Sequence, residues 1–117
     1  MSCKVLVAED NLRLAELLAE VLYRGGAEVT ISDEPAVLKR WIAKATGPIV
    51  LDGSVMRQAG YTVKSLPCWA VIFSGDDDLV AEARQAGLRA FLKGDYSSVK
   101  ELERAVFEQA GERRAVS

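Results

Sequence analysis

The sequence predicts an α/β fold in three layers, α/β/α: a doubly wound, five-stranded parallel sheet with helices on both faces. Short apolar runs recur along the 117 residues, and several end abruptly in polar side chains. Strands buried on both faces read this way. Between these runs stand amphipathic stretches with helical spacing. Strand and helix alternate throughout, which implies right-handed crossovers and parallel pairing.

The first strand spans about Lys4–Ala8 and lacks polar–apolar alternation, as a central strand should. Asp10-Asn11 offers short side chains that accept the orphan amide hydrogens of a first helical turn. Leu14, Leu17, Leu18, Val21 and Leu22 form that helix's apolar stripe, and Gly25-Gly26 ends it. Glu28-Val29-Thr30-Ile31-Ser32 alternates, so the second strand is half exposed and belongs at a sheet edge. Ser32-Asp33-Glu34-Pro35 starts the second helix with proline in its first turn. Leu38, Trp41, Ile42 and Ala45 make its buried side. Gly47-Pro48 then leads into Ile49-Val50-Leu51-Asp52, the third strand and its terminal acid. Beyond Asp52 the spacing predicts only a short helix, about two turns around Gly60–Ser65, before Pro67. The fourth strand runs from about Cys68 to Phe73. Gly75-Asp76-Asp77-Asp78 leads into a helix carrying Leu79, Val80 and Ala83, which Gly87 ends. The fifth strand covers about Leu88–Leu92. Val99, Leu102 and Val106 mark a last helix capped by Ser97 or Ser98, and Gly111–Ser117 reads as a frayed tail.

Five strands with the second at an edge fit the order 2-1-3-4-5, in which strands one and three are neighbours at the switch point. Glu9, Asp10 and Asp52 should therefore meet at the carboxyl edge of the sheet. Ser74 and Lys93 arrive there from the next two strands.

The length predicts one domain over residues 1–117. A net charge of −2 gives no basic field for nucleic acid, and no apolar run is long enough to span a membrane. Met1-Ser2-Cys3-Lys4 leads straight into a strand, which leaves no signal peptide and implies the cytoplasm. Cys3 and Cys68 predict buried free thiols rather than a disulfide or a metal pair. The chain contains no histidine, so it cannot itself carry a phosphohistidine.

Carboxylates at close range repel unless a cation neutralises them. Magnesium prefers oxygen ligands and is held by one or two carboxylates plus a phosphate. Asp10 and Asp52 would supply the carboxylates, Glu9 a water-mediated contact and Ser54 its backbone carbonyl. An aspartate can also attack phosphorus to give an acyl phosphate, a reaction that needs positioning and charge neutralisation. The Lys93 ammonium would neutralise, the Ser74 hydroxyl would donate a hydrogen bond, and Gly75 would leave room. Against this stand plainer uses: Asp52 or Asp10 as helix caps, Lys93 as an exposed lysine, and Asp76–Asp78 as a solvated helix start. The alignment of Glu9, Asp10 and Asp52 favours function.

Over about Lys4–Ala110 the chain resembles a CheY-like response-regulator receiver domain of two-component signalling. Lys4-Val5-Leu6-Val7-Ala8-Glu9-Asp10-Asn11 is similar to the family's opening strand and acidic pair. Leu51-Asp52 resembles the phosphoacceptor, followed by Gly60. Phe73-Ser74-Gly75 resembles the switch hydroxyl with its small neighbour, and Ala86-Gly87 leads to Phe91 and Lys93. The resemblance implies the flavodoxin-like (CheY-like) fold, a Mg2+ cofactor, and phosphorylation of Asp52 by a histidine kinase or phosphotransfer protein. It also implies Phe91 as the switch aromatic. The output face is helix four, strand five and helix five, open to a downstream protein or a second copy. No enzymatic turnover is implied beyond phosphorylation and dephosphorylation of Asp52 itself. The chain ends soon after helix five, so no output domain is expected.

The sequence also departs from that pattern. The interval from Asp52 to Ser74 is short, Val55-Met56-Arg57 replaces methionine-proline, and Ala59 replaces an aspartate before Gly60. Gly94 follows Lys93 in place of proline, so no cis peptide is expected. Only Leu92 separates Phe91 from Lys93, where the family has two residues. Counted along the strand, that spacing leaves open whether Lys93 faces the site. These departures motivate a rival reading, a degenerate receiver that binds proteins without phosphorylation. A magnesium phosphohydrolase is disfavoured by Ser54, which stands where such enzymes place a second acid. The acidic Glu9-Asp10-Asn11 loop argues against flavin.

Overall fold

The apolar runs become five parallel strands: β1 (Cys3–Ala8), β2 (Ala27–Ile31), β3 (Ile49–Leu51), β4 (Ala70–Ser74) and β5 (Arg89–Leu92). They pair in the order β2-β1-β3-β4-β5. The helices are α1 (Leu12–Arg24), α2 (Pro35–Lys44), α3 (Gly53–Gln58), α4 (Asp77–Gln85) and α5 (Tyr96–Val116). This computed structural model describes residues 3–94 and 96–116.

Side-chain alternation sorts the core into two layers. Leu6, Ala8, Ile49, Leu51, Ala70, Ile72 and Ala90 share one cluster with residues of α2, α3 and α4, among them Leu38, Val55, Met56, Leu79 and Ala83. Val5, Val7, Val50, Val71 and Phe73 share the other with Ala15, Leu18 and Leu22 of α1 and Leu102 and Val106 of α5. A slip of one residue would exchange the two sets, so burial on both faces locks the register. Leu6 lies beside Ile49, and Leu51 beside Ile72. Each of these four is fully buried, which stabilises the fold by about 1.5–3 kcal/mol per side chain.

A Cβ on Gly47 would sit 1.8 Å from the Lys4 carbonyl oxygen, so only glycine lets the chain pass this close to β1. Trp41 Nε1 donates to the Gly47 carbonyl at 2.9 Å and ties α2 to the same corner. At the end of α2 the left-handed position falls on Ala45, with φ 47°. A side chain there is strained by about 1–2 kcal/mol. Ala45→Gly should therefore raise stability by roughly 0.5–1 kcal/mol, read as a higher urea midpoint at unchanged m-value.

Several sequence expectations are corrected. No α-helix forms around Gly60–Ser65, where only a 3-10 turn spans Val63–Ser65. The third helix instead begins at Gly53, because the Asp52 side chain caps it. Val55, Met56 and Ala59, all buried, are its apolar side, and the positive φ of Gly60 (84°) follows its end. Ser97 and Ser98 lie inside the first turn of α5 rather than capping it, and the helix continues to Val116 through the expected tail. Ser117 lies outside the described residues. Cys3 is half-buried and Cys68 exposed, so neither thiol is buried. Leu17, assigned to the stripe of α1, is 49% exposed.

Candidate functional site

Four of the strands, β1, β3, β4 and β5, bring a candidate site residue to one edge of the sheet. Glu9 and Asp10 follow β1, Asp52 follows β3, Ser74 closes β4 and Lys93 follows β5. Because β1 and β3 are neighbours, one carboxylate oxygen from each of Glu9, Asp10 and Asp52 lies within 4.8 Å of the other two. Glu9 and Asp52 are buried, and Asp10 is exposed.

Backbone amides hold these acids. The Asp52 N–H donates to the Ala8 carbonyl at 2.9 Å, extending the β1–β3 ladder by one residue. Asp52 Oδ2 accepts from the amides of Ser54 (3.0 Å) and Val55 (3.3 Å). Glu9 Oε2 accepts from the Asn11 amide at 3.1 Å. Asn11, not Asp10, caps α1, accepting from Leu14 at 3.2 Å, which leaves Asp10 out of the cap. Ser54 stands in the first turn of α3, with its amide committed to Asp52.

Lys93 reaches the site. Its Nζ lies 2.6 Å from Glu9 Oε1 and 2.6 Å from Asp52 Oδ1. The Lys93 N–H donates to the Ser74 carbonyl at 2.8 Å, so its place is set by the end of β4. From there the ammonium lies 5.9 Å from the centre of the Phe73 ring. The spacing from Phe91 left the direction of Lys93 open; its bonds to Glu9 and Asp52 turn it inward. The ring, not the lysine, is displaced. Phe91 pairs in register with Phe73 and packs against the layer of α1 and α5. The residue three positions before Lys93, which is the family's spacing, is Ala90, buried with Ala83 and Leu88 in the other layer.

Electrostatics follow from burial. Desolvation raises the Glu9 pKa, against the lowering effect of the Lys93 and Asn11 hydrogen bonds. Burial pulls the Lys93 ammonium down, but bonds to Asp52 and Glu9 outweigh it and leave the pKa raised. Ser74 is buried, and its Oγ accepts from the Asp76 amide at 3.1 Å, so the hydroxyl keeps its own hydrogen to donate. A Cβ on Gly75 would meet nothing within 4 Å. Sequence reasoning missed Arg57, whose guanidinium lies 3.3 Å from Asp76 Oδ2. Asp76 was read within a solvated acidic run, and it does cap α4 through Asp78 (3.0 Å) and Leu79 (3.3 Å). Nothing in the local pattern points from one of these residues to the other.

No protein-family model matches the chain. No curated protein matches it either. Solved structures do. The receiver domain of a Francisella response regulator superposes with TM-score 0.69 at 18% identity, over 96% of this chain and 99% of that one. The signal receiver domain of a protein named as a LuxO repressor, from Vibrio parahaemolyticus, gives TM-score 0.68 at 18% identity over 98% and 95%. A CheY-like receiver domain from Methylobacillus flagellatus gives 0.62 at 17% identity over 91% and 99%. The fold is that of a CheY-like response-regulator receiver domain. At these identities the likeness establishes the architecture of the receiver and not its chemistry. Among the described residues no helix is long and apolar enough to cross a membrane.

The raised Glu9 pKa has a measurable consequence in this receiver fold. The folded state binds that proton more tightly than the unfolded chain does. Stability from this group is therefore complete below its ordinary value of 4.5 and declines as pH rises through the raised value. Glu9→Gln should flatten that decline in urea titrations run at a series of pH values with a chelator present.

Proposed function

We propose that this receiver is a phosphorylation switch with Asp52 as its phosphoacceptor. The observation that carries this reading is the meeting of three carboxylates within 4.8 Å, with the Lys93 ammonium 2.6 Å from Asp52. An all-oxygen donor set fits magnesium. Asp10 and Asp52 would hold the ion, with Glu9 acting through water and the Ser54 carbonyl as a further ligand. Bound there, it would neutralise charge on the phosphoryl oxygens.

The protein's own part is positional. A carboxylate oxygen of Asp52 attacks phosphorus while the bond to the donor breaks, and the leaving group departs with that electron pair. Lys93 neutralises one phosphoryl oxygen, and the Ser74 hydroxyl donates to another. Gly75 leaves space beside them. With no histidine in the chain, a phosphohistidine donor must belong to a histidine kinase or phosphotransfer protein. Phosphorylation would then alter the face of α4, β5 and α5 toward a downstream protein or a second copy, in the cytoplasm.

The test is intact mass after incubation with acetyl phosphate and magnesium. A gain of one phosphate, lost when a chelator is added, is expected; an unchanged mass overturns the reading. Tryptophan fluorescence is a poor reporter of magnesium, since Trp41 bonds Gly47 and Trp69 precedes β4, both at the opposite end of the sheet. Calorimetry reads metal binding directly.

A second reading has its own support. Lys93 already neutralises Glu9 and Asp52, and Ala90 stands at the spacing of the switch aromatic. A constitutive protein-binding module would use such a self-neutralised site. It predicts no heat on magnesium titration and no phosphate uptake.

A further inference from the structure

Two loops form the mouth of the candidate site. One, between β3 and α3, presents Asp52; the other, between β4 and α4, presents Ser74. They touch: a Cβ on Gly53 would lie 2.6 Å from Leu79 Cδ2 and 3.4 Å from Ser74 Oγ. Arg57, on α3, reaches across to Asp76 Oδ2 at 3.3 Å. Asp76 is bound on its other side as well. Its Oδ1 accepts from the amides of Asp78 and Leu79 at 3.0 and 3.3 Å, and its own amide donates to Ser74 Oγ at 3.1 Å. One residue thus links the guanidinium of α3, the first turn of α4 and the Ser74 hydroxyl.

We propose that the Arg57–Asp76 pair is a clasp across the mouth of the site that positions the Ser74 hydroxyl for the phosphoryl group. The inference rests on the phosphoacceptor reading of Asp52. Arg57 and Asp76 act through Ser74 and are positioning residues. Without the Asp76 N–H donating to it, Ser74 Oγ would be free to swing; the ion pair and the cap restrain Asp76 and so hold that N–H in place. The carboxylate of Asp76 is held below its usual range, first by the Leu79 amide and then by Arg57, so both restraints persist at neutral pH. The pair is exposed, with side chains 59% and 44% accessible, so its effect is small and salt-sensitive.

The experiment is the rate of magnesium-dependent phosphorylation of the full chain by acetyl phosphate, with magnesium affinity measured in parallel. Arg57→Ala should slow phosphorylation about two- to fivefold at unchanged magnesium affinity, and Arg57→Lys should restore most of the rate. In a Ser74→Ala background, Arg57→Ala should have no further effect, because the group it positions is gone. Equal rates in the wild type and Arg57→Ala, or the same loss in both backgrounds, would overturn the clasp while leaving Asp52 as the acceptor. A wild-type chain that takes up no phosphate would overturn both.

Discussion

Asp52→Asn should abolish phosphate uptake from acetyl phosphate, with the chain still folded. The asparagine side chain keeps an oxygen where Asp52 Oδ2 accepts from Ser54 and Val55, so the start of α3 retains its cap. What disappears is the negative oxygen that, on the proposed reading, would attack phosphorus. The comparison is sharp because a second buried carboxylate, Glu9, stands beside it. Intact mass separates the two: phosphate retained by Asp52→Asn and lost from Glu9→Gln would move the acceptor to β1. The expected pattern is complete loss in the first variant and a reduced rate in the second.

Lys93→Met should destabilise the metal-free protein strongly, and magnesium should reverse much of that loss. The ammonium lies 2.6 Å from both Glu9 and Asp52, whose side chains are only 2% and 9% exposed. Removing it leaves two buried negative charges without a countercharge, held by backbone amides. Losing one member of a buried pair costs about 3–5 kcal/mol. Lys93 itself is 22% accessible, so solvent screening lowers the expected cost to about 2–4 kcal/mol. A divalent cation at the same carboxylates would replace the missing charge. At one hundred times its dissociation constant it would return about 2.7 kcal/mol. Urea unfolding with chelator and with excess magnesium measures both quantities. A variant as stable as the wild type in chelator would show that the ammonium is not what neutralises these acids. Failure of magnesium to restore stability would favour the constitutive module.

Glu9, Asp10 and Asp52 were readable because they follow unbroken apolar runs, and because the alternation of strands and helices implies which strands are neighbours. Strand order then brings the acids together without any knowledge of side-chain direction. Caps and stops at Asn11, Pro35 and Gly87 were readable for a similar reason: each acts within one turn of its own position. The start of α3 was not, since Asp52-Gly53-Ser54 has the composition of a turn and becomes a helix only when the Asp52 carboxylate accepts two amides ahead of it.

The chain's linear pattern by itself determined the doubly wound sheet, its strand order and the edge where polar groups collect, because burial on both faces requires apolar strands and short-range capping marks the helices. Tertiary structure alone decided that Lys93 turns inward, that Phe91 belongs to the layer of α1 and α5, and that Arg57 meets Asp76. Those outcomes depend on hydrogen bonds and contacts between segments far apart in the chain, such as the bond from the Lys93 amide to the Ser74 carbonyl. Spacing within one strand carries no record of the strand beside it.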